Sequence, residues 1–362
     1  MRKIKVLIVD DAVVVRKIVS DSLSVDPEIE IVGTAANGKI GLSKIEQLKP
    51  DCVTLDIEMP EMDGLQTLAE IRKKYRDLPV IMFSTLTERG GSKTLEALSL
   101  GATDYVTKPA NVGSVSIAMK RVREELTPKI KLFCSKASGV QPSPKVIPIP
   151  KPTFSKPVKP VAPVKPSEPK RIDIVAIGVS TGGPNALAEL FPHLPNNLPV
   201  PIVMTQHMPP YFTKLLAERL TTKSKLKIQE GRANQIVSPG EAWIAPGDYH
   251  MEVTRVGATV QLRTNQNPPE NSCRPAVDPM LRSVLKVYGP NTLAVILTGM
   301  GQDGLKGCEE VKKAGGQVIV QDEQSSVVWG MPGFVYRAGL ADKVLPLSHI
   351  AGEIVNRLKF GR

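Results

Sequence analysis

The sequence has few aromatic residues and only four cysteines, and both shortages limit what it can fold into. Aromatic residues make up 4% of the 362 residues, whereas hydrophobic residues make up 41%, so we expect aliphatic cores. The cysteines stand far apart and form no CxxC pair, which argues against a zinc site and against a disulfide framework. We expect all four to be small buried hydrophobes in a reducing compartment. They are Cys52, Cys134, Cys273 and Cys308.

Long apolar runs are also missing. No stretch approaches the roughly 20 apolar residues that a membrane helix needs. The N-terminus is basic and then apolar, as in a signal peptide, but the run ends at Asp10 and Asp11 without a small-residue cleavage pattern. We therefore interpret it as a first strand and expect a soluble, cytoplasmic protein without direct membrane insertion.

The net charge of +11 is unevenly distributed. Between Lys136 and Arg171 there are eight Lys or Arg residues and one acid, so this segment supplies +7 of the total. It repeats Pro, Lys, Val and Ser, which predicts a semi-extended, polyproline-like tether. No helix-turn-helix pattern follows it. The charge therefore indicates a linker rather than a nucleic-acid partner, and a transcription factor is not supported.

Strand-like apolar runs alternate with amphipathic helical segments on both sides of this linker. Before it the runs are KVLIV, IEIVG, CVTL, PVIMF and DYVT, and after it they are IDIVAI, PIVMT, TLAVILT and QVIVQ. Such alternation predicts two α/β domains with doubly wound, mainly parallel sheets, the second with an antiparallel insert at about 225–263. A helix after Asn111 is predicted to place Val115, Ala118, Val122 and Leu126 on one face. The predicted boundaries are 1–125, 126–170 for a helix end and the linker, and 171–362.

Polar residues stand at the carboxyl ends of the first-domain strands, where ligands gather in open α/β sheets. Asp10 and Asp11 end the first strand, Asp56 the third, Ser84 the fourth and Lys108 the fifth. Clustered carboxylates repel one another unless a cation neutralises them, and oxygen ligands suit Mg²⁺. Any one aspartate could be an ordinary loop residue, but the whole set predicts a magnesium site.

The motifs IVDD, TLDIEMPEMDG, FST and YVTKP make residues 1 to about 125 resemble the receiver domain of two-component response regulators. The resemblance implies a flavodoxin-like sheet and an Asp56 that accepts a phosphoryl group from a histidine kinase. It implies a Mg²⁺ site formed by Asp11, Asp56 and the backbone carbonyl of Glu58, with Asp10 helping through water. The switch residues that it implies are Ser84, Tyr105 and Lys108.

A Gly-rich turn after the strand IDIVAI carries the first candidate of the second domain. It runs from Gly178 through Ser180 to Pro184, and Pro184 suits the first turn of a helix. A dinucleotide-binding turn is disfavoured because the GxGxxG spacing is absent. The GxSxG pattern fits an α/β-hydrolase elbow, in which the N–H groups of a helix N-terminus stabilise an oxyanion.

Four histidines are available to serve this serine, and their positions separate them. His207 follows the strand PIVMT, His250 is a weaker candidate, and His193 and His349 fall in a loop and a late helix. Asp303, in the turn after TLAVILT, could orient His207, or it could cap the following helix. The order Ser, His, Asp differs from the Ser, acid, His order of the elbow family.

The segments IGVSTGGP, TQHMPPYFTKLLAERL, IAPGDYHM, RPAVDPML, LTGMGQDGLKG and WGMPGFV resemble the chemotaxis protein-glutamate methylesterase family, usually called CheB. The resemblance implies that Ser180 is the nucleophile, His207 the general base and Asp303 its orienter. It implies that the backbone N–H of Met300 contributes to the oxyanion hole. No cofactor is expected for ester hydrolysis.

The same resemblance implies a substrate and a means of control. The substrate is a methylated glutamate on a methyl-accepting chemoreceptor, with deamidation of glutamines as a related activity. The unphosphorylated receiver blocks the site, and phosphorylation by a chemotaxis histidine kinase frees it. One alternative is a phosphorylation-gated hydrolase of another ester or amide. The other is a non-catalytic response regulator whose second half binds a partner.

Overall fold

The computed structural model describes residues 2–108, 115–137 and 171–360. Pro109 and the part of the predicted linker from 138 to 170 lie outside these residues, so the tether stays a prediction. Within the described residues, the chain divides into two units. The first unit contains residues 2–83 and 115–137, and the second contains 84–108 and 171–360. The predicted domain boundaries near 125 and 171 remain a prediction.

The first sheet has five strands, and all five predicted runs form them. In space they follow the order β2-β1-β3-β4-β5, which is the flavodoxin-like order. The pairings of β1 with β2, β1 with β3 and β3 with β4 are parallel. The strands are β1 (Ile4–Val9), β2 (Ile29–Ala35), β3 (Cys52–Asp56), β4 (Val80–Ser84) and β5 (Asp104–Thr107).

Five helices alternate with these strands, and side-chain caps fix several of their starts. The side chain of Asn37 accepts a hydrogen bond from the backbone N–H of the third residue of α2, and Asp63 forms a capping box with Gln66 at the start of α3. The predicted apolar face of α5 is buried at Ala118, Val122 and Leu126, but Val115 is 61% exposed because it opens the helix. The helices are α1 (Val13–Ser24), α2 (Gly38–Leu48), α3 (Gly64–Lys74), α4 (Glu88–Ser99) and α5 (Val115–Ala137).

The second sheet has seven strands, ordered β14-β13-β12-β6-β7-β9-β8, and each of its pairings is parallel. The four runs predicted after the linker become β6, β7, β12 and β13, whose residues are almost all buried. The strands of this sheet are β6 (Ile174–Val179), β7 (Ile202–Gln206), β8 (Lys227–Glu230), β9 (Glu241–Ile244), β12 (Thr292–Ile296), β13 (Gln317–Gln321) and β14 (Lys343–Leu345).

The antiparallel insert is smaller than predicted. Only β10 (His250–Val256) and β11 (Thr259–Asn265) pair antiparallel, as a separate two-stranded sheet. The strands β8 and β9, which the sequence placed in the insert, join the main sheet in parallel beside β7. A helix of twelve residues, α7 (Phe212–Lys223), separates β7 from β8 and provides the crossover length that parallel pairing requires.

Helices cover this second sheet and complete an aliphatic core, as the composition predicted. Val277, Met280, Leu281 and Val284 of α8 are fully buried with the strand residues of β6 and β12. The other helices are α6 (Gly183–Leu190), α8 (Val277–Tyr288), α9 (Leu305–Lys313), α10 (Met331–Arg337) and α11 (Leu347–Phe360). Of the helices in the described ranges, none combines the length and apolarity that crossing a membrane would require.

Candidate functional site

Three carboxylates converge at the carboxyl ends of β1 and β3, which pair directly. One ligand atom each from Asp10, Asp11 and Asp56 lies within 4.8 Å of the other two. Asp10 and Asp56 are buried, whereas Asp11 is exposed. Because like charges at this separation repel strongly, the cluster suits a hard cation with oxygen ligands, and Mg²⁺ fits the donor set.

The backbone folds tightly around Asp56. The N–H of Glu58 donates to Asp56 Oδ1 at 3.3 Å, so the loop turns back over the carboxylate. A Cβ on Gly64 would lie 2.1 Å from the backbone oxygen of Asp56, so only glycine fits there. This packing fixes the direction of the Asp56 side chain at the edge of the sheet.

Ser84 ends β4, and its hydroxyl is held by α4. Thr94 Oγ1 lies 2.7 Å from Ser84 Oγ, and Ser84 Oγ lies 3.1 Å from the Gly90 carbonyl. Lys108 follows β5, and its N–H donates to the Ser84 carbonyl at 2.7 Å. The two predicted switch residues therefore share one edge, and the hydroxyl of Ser84 is engaged by α4.

Residues of α4 and β5 contact residues at or just before the starts of α6 and α7 within the second unit. The ring of Tyr105, the predicted switch aromatic, stacks on Phe212 with centroids 5.4 Å apart. Asp104 Oδ2 accepts from the hydroxyl of Thr181 at 3.4 Å, and the Asn185 amide donates to the Leu98 carbonyl at 2.9 Å. Thr181 directly follows Ser180, so one of these contacts reaches the neighbour of the predicted nucleophile.

Ser180, His207 and Asp303 follow three adjacent strands of the second sheet. In the spatial order β12-β6-β7, Ser180 directly follows β6, His207 directly follows β7, and Asp303 lies in the turn after β12. The N–H of Ser180 donates to the Thr298 carbonyl at 3.0 Å, and the N–H of His207 donates to the Val179 carbonyl at 3.1 Å. Sheet pairing therefore continues past the strand ends and brings the three predicted residues to one edge.

The turn after β6 has the geometry expected of a nucleophile at a helix N-terminus. The N–H of Gly183 donates to the Ser180 carbonyl at 2.8 Å, and Gly182 has a φ of +80°, which favours glycine. Pro184 lies in the first turn of α6. A Cβ on Gly299 would lie 2.8 Å from Ser180 Cβ, so the turn that carries Met300 approaches the serine closely.

His207 and Asp303 form a short contact of 2.7 Å between Nε2 and Oδ2. Burial alone would lower the pKa of His207, but the hydrogen bonds to Asp303 and Cys273 raise it above its ordinary value. Burial alone would raise the pKa of Asp303, but the His207 contact and backbone donors lower it. The ionised pair is thus favoured, as expected of an acid that orients a base.

Because Nε2 faces the carboxylate, Nδ1 is the nitrogen left for the serine. It lies 3.5 Å from Cys273 Sγ. Among the described residues, no hydrogen bond joins Ser180 Oγ to His207. Catalytic hydrogen bonds are often long before substrate binds, so this geometry is compatible with a base that engages Ser180 later.

Asp303 also caps a helix, although a different one from the helix that the sequence suggested. Its carboxylate accepts from the N–H groups of Val277 at 2.6 Å and Asp278 at 3.1 Å, the first two residues of α8. It also accepts from Gly304 at 3.0 Å, but Gly304 is itself the cap of α9. The same carboxylate therefore starts α8 and faces His207.

Sequence reasoning missed three residues that contact this group. Asn271 donates to Asp303, Cys273 contacts His207, and the Gln206 amide donates to the Ser180 carbonyl at 3.0 Å. Gln206 could have been found, because it precedes His207 on a strand whose end was already singled out. His250 is buried and bonded through both ring nitrogens to backbone groups of Pro268 and Ala276, which is a structural role.

Comparisons with known proteins agree on both halves of the chain. A family model described as CheB methylesterase matches residues 175–354, and a response regulator receiver domain model matches residues 6–120. A protein-glutamate methylesterase/protein-glutamine glutaminase of Trichodesmium erythraeum is 50% identical over 361 residues, covering 99% of this chain and 100% of its own length. A protein of the same name from Nocardioides sp. is 51% identical over 358 residues, covering 99% and 96%.

The second half of the chain resembles a solved structure. The CheB methylesterase catalytic domain of Thermotoga maritima has 45% sequence identity and a TM-score of 0.50. The match covers 51% of this chain and 98% of that domain.

Proposed function

We propose that this chain, which belongs to the CheB methylesterase family, hydrolyses glutamate methyl esters on chemoreceptors with Ser180, His207 and Asp303, and that phosphorylation of Asp56 raises this activity. The observation that carries the proposal is that Ser180, His207 and Asp303 follow three adjacent strands and that His207 and Asp303 are in direct contact. Deamidation of receptor glutamines is the second reaction, because the names of these relatives include protein-glutamine glutaminase.

The first half of the reaction transfers the acyl group to the enzyme. The Ser180 oxygen attacks the ester carbonyl while His207 Nδ1 takes the hydroxyl proton. The carbonyl oxygen gains the negative charge, and the Met300 N–H, beside Gly299, is our candidate donor to it. When the tetrahedral species collapses, the C–O bond to methoxide breaks, His207 returns its proton, and methanol leaves.

The second half releases the receptor. Water attacks the carbonyl carbon of the serine ester while His207 takes a proton from it. When this tetrahedral species collapses, the C–O bond to Ser180 breaks, His207 returns its proton to Ser180 Oγ, and a glutamate carboxyl leaves. A glutamine side chain follows the same steps with ammonia in place of methanol. Asp303 stays ionised throughout, because its pKa is lowered, and it stabilises the imidazolium that forms in each half.

The carboxylate cluster of the first domain is the proposed phosphoacceptor site. Asp56 would attack a phosphoryl group, and Asp10, Asp11, Asp56 and the Glu58 carbonyl would hold Mg²⁺. The cation would neutralise charge on the transferred group. Lys108 would pair with a phosphoryl oxygen, and Ser84 would donate to another after releasing the Gly90 carbonyl.

Two contacts within the second unit support a path from this switch to the hydrolase. Asp104 and Tyr105 belong to β5, which ends just before Lys108. Their partners are Thr181, next to the nucleophile, and Phe212, the first residue of α7. A rearrangement of β5 on phosphorylation would change both contacts, and couplings of about 1–3 kcal/mol are typical of such switches.

The test of the hydrolase is methanol release from a chemoreceptor methylated on glutamates. Ser180→Ala should abolish it without loss of folding, whereas Ser238→Ala, a serine between β8 and β9 in the same domain, should leave it unchanged. If Ser180→Ala kept receptor methanol release, the assignment would be wrong. If wild type hydrolysed simple esters but not the receptor, the substrate would be another ester.

The test of the switch uses the same assay with acetyl phosphate and Mg²⁺. Wild type should be activated, whereas Asp56→Asn should keep basal activity and show no response. A chelator added before the phosphodonor should remove the activation. Equal stimulation of the Asp56→Asn protein would overturn the phosphoacceptor assignment and leave the hydrolase assignment intact.

A further inference from the structure

A second buried carboxylate lies behind the proposed triad. Asp278 is 1% exposed and is the second residue of α8. Its Oδ1 accepts from the N–H of Gly307, in the first turn of α9, at 2.8 Å. Asp278 therefore caps α9 while Asp303, which precedes α9, caps α8. The two helices exchange caps, and this exchange brings two carboxylates together in a buried space.

A single side chain joins these carboxylates. The Nδ2 atom of Asn271 lies 2.9 Å from Asp303 Oδ1 and 3.0 Å from Asp278 Oδ2. A carboxamide nitrogen carries two hydrogens, so it can donate one to each carboxylate. Asn271 has a φ of +51°, a left-handed conformation that asparagine tolerates better than most residues. Both its backbone and its side chain suit this position.

We propose that Asn271 is a positioning residue of the esterase, which holds the Asp303 carboxylate in line with His207 against the repulsion of Asp278. This inference rests on the proposed function. Without the amide, two buried carboxylates would face each other with one fewer donor between them. Asp303 could then turn from His207 or share a proton with Asp278, and either change weakens the base.

The groups around Asp278 and Asp303 show which interactions favour their ionised forms. Burial raises the pKa of Asp278, and the charge of Asp303 raises it further, whereas the Gly307 and Asn271 hydrogen bonds lower it. The other titratable or charged groups that face these carboxylates or their partners are His207, Arg282, Glu270, Cys273 and Cys308. Arg282 forms an ion pair with Glu270. Asn271 makes the direct contact to both carboxylates.

The experiment compares two substitutions of Asn271 in the full chain, by methanol release from the methylated receptor. Asn271→Ala removes the donor and should lower kcat by roughly 10- to 100-fold with KM changed less than about twofold. Asn271→Asp keeps the shape and tolerates the same backbone, but it places a third carboxylate in the cluster. It should lower kcat and also shift the acid limb of the kcat/KM profile to higher pH, because added negative charge stabilises the imidazolium of His207.

A matched control is available at the opposite edge of the sheet. The amide of Asn291 donates to Asp173 Oδ2 at 2.8 Å, just before β12 and β6 begin. Asn291→Ala removes a bond of the same kind and should leave kcat and the pH profile unchanged. Urea unfolding of every variant separates a loss of stability from a loss of rate.

Two outcomes would overturn the inference. One is a folded Asn271→Asp protein whose kcat and pH profile match wild type. The other is an Asn271→Ala protein whose loss is confined to KM or to stability, as a loop-holding role would give. Failure of the proposed function looks different, because wild-type methanol release would then be absent or independent of Ser180.

Discussion

Replacing Asp303 by asparagine tests the central contact of the site. The substitution keeps the size of the side chain but removes its charge and turns one oxygen into a donor. In the structure the two oxygens receive His207 Nε2 together with three backbone N–H groups and the Asn271 amide. An amide NH₂ group at this position would therefore face donors instead of acceptors.

The expected loss of kcat follows from the 2.7 Å distance between His207 Nε2 and Asp303 Oδ2. It places the centres of the imidazolium and carboxylate charges about 4 Å apart, where unit charges attract by about 4 kcal/mol at an effective dielectric constant near 20. That energy is worth about 10³-fold in rate. Because the amide also disfavours the required tautomer, as the same exchange does in serine proteases, we expect a loss of 10³- to about 10⁴-fold in kcat.

Stability must be measured alongside the rate, because Asp303 also caps α8. Losing charge-assisted bonds to Val277 and Asp278 should lower the free energy of unfolding by about 3 kcal/mol. Asp342→Asn is the control, since Asp342 accepts from the Val318 N–H at 2.7 Å and pairs with Lys312. It should lose stability and keep kcat. A folded Asp303→Asn protein with kcat within tenfold of wild type would refute the reasoning.

Three further predictions concern the atoms around the serine and the base. Cys273→Ala removes one of the contacts that raise the pKa of His207, so the acid limb of the kcat/KM profile should move to lower pH. An acid limb at the wild-type pH would show that Cys273 does not raise this pKa. Activity should rise as pH increases through the pKa of His207, because the base must be neutral to take a proton. The ionised form of His207 also stabilises the fold. This contribution is complete below about pH 6.5, the pKa of an unfolded histidine, and declines as pH rises through the higher pKa of His207 in the folded protein. Gly299→Ala should lower kcat at least tenfold and destabilise by about 1–3 kcal/mol, because its Cβ would press on Ser180. Gly352→Ala, which meets nothing within 4 Å in helix α11, is the control, and equal effects of the two would refute the steric account.

Strand ends were the informative signal for the site. Buried parallel strands are continuous apolar runs, and a polar residue directly after such a run falls at the sheet edge where ligands gather. That rule singled out Asp56, Ser180 and His207 without any knowledge of contacts. Asp303 was found in the same way, although it lies several residues beyond β12.

The residues that were not predicted lie where the sequence shows no hydrophobic periodicity. Asn271 and Cys273 belong to an irregular loop between β11 and α8, and their partners are 32 and 66 residues away in sequence. Such contacts depend on how the loop packs on α8, which no local pattern encodes. The misplacement of β9 has a related cause. Its apolar residues predict a strand, but they do not say whether its partner is β10 or β7.

The exchange of caps between α8 and α9 makes two backbone amides into reporters of the site. The amide hydrogens of Val277 and Asp278 point at the same carboxylate that faces His207. They can exchange with solvent only when that carboxylate moves away. Hydrogen exchange at these two positions should therefore follow the opening of the hydrolytic centre in the intact protein, without substrate and without any substitution.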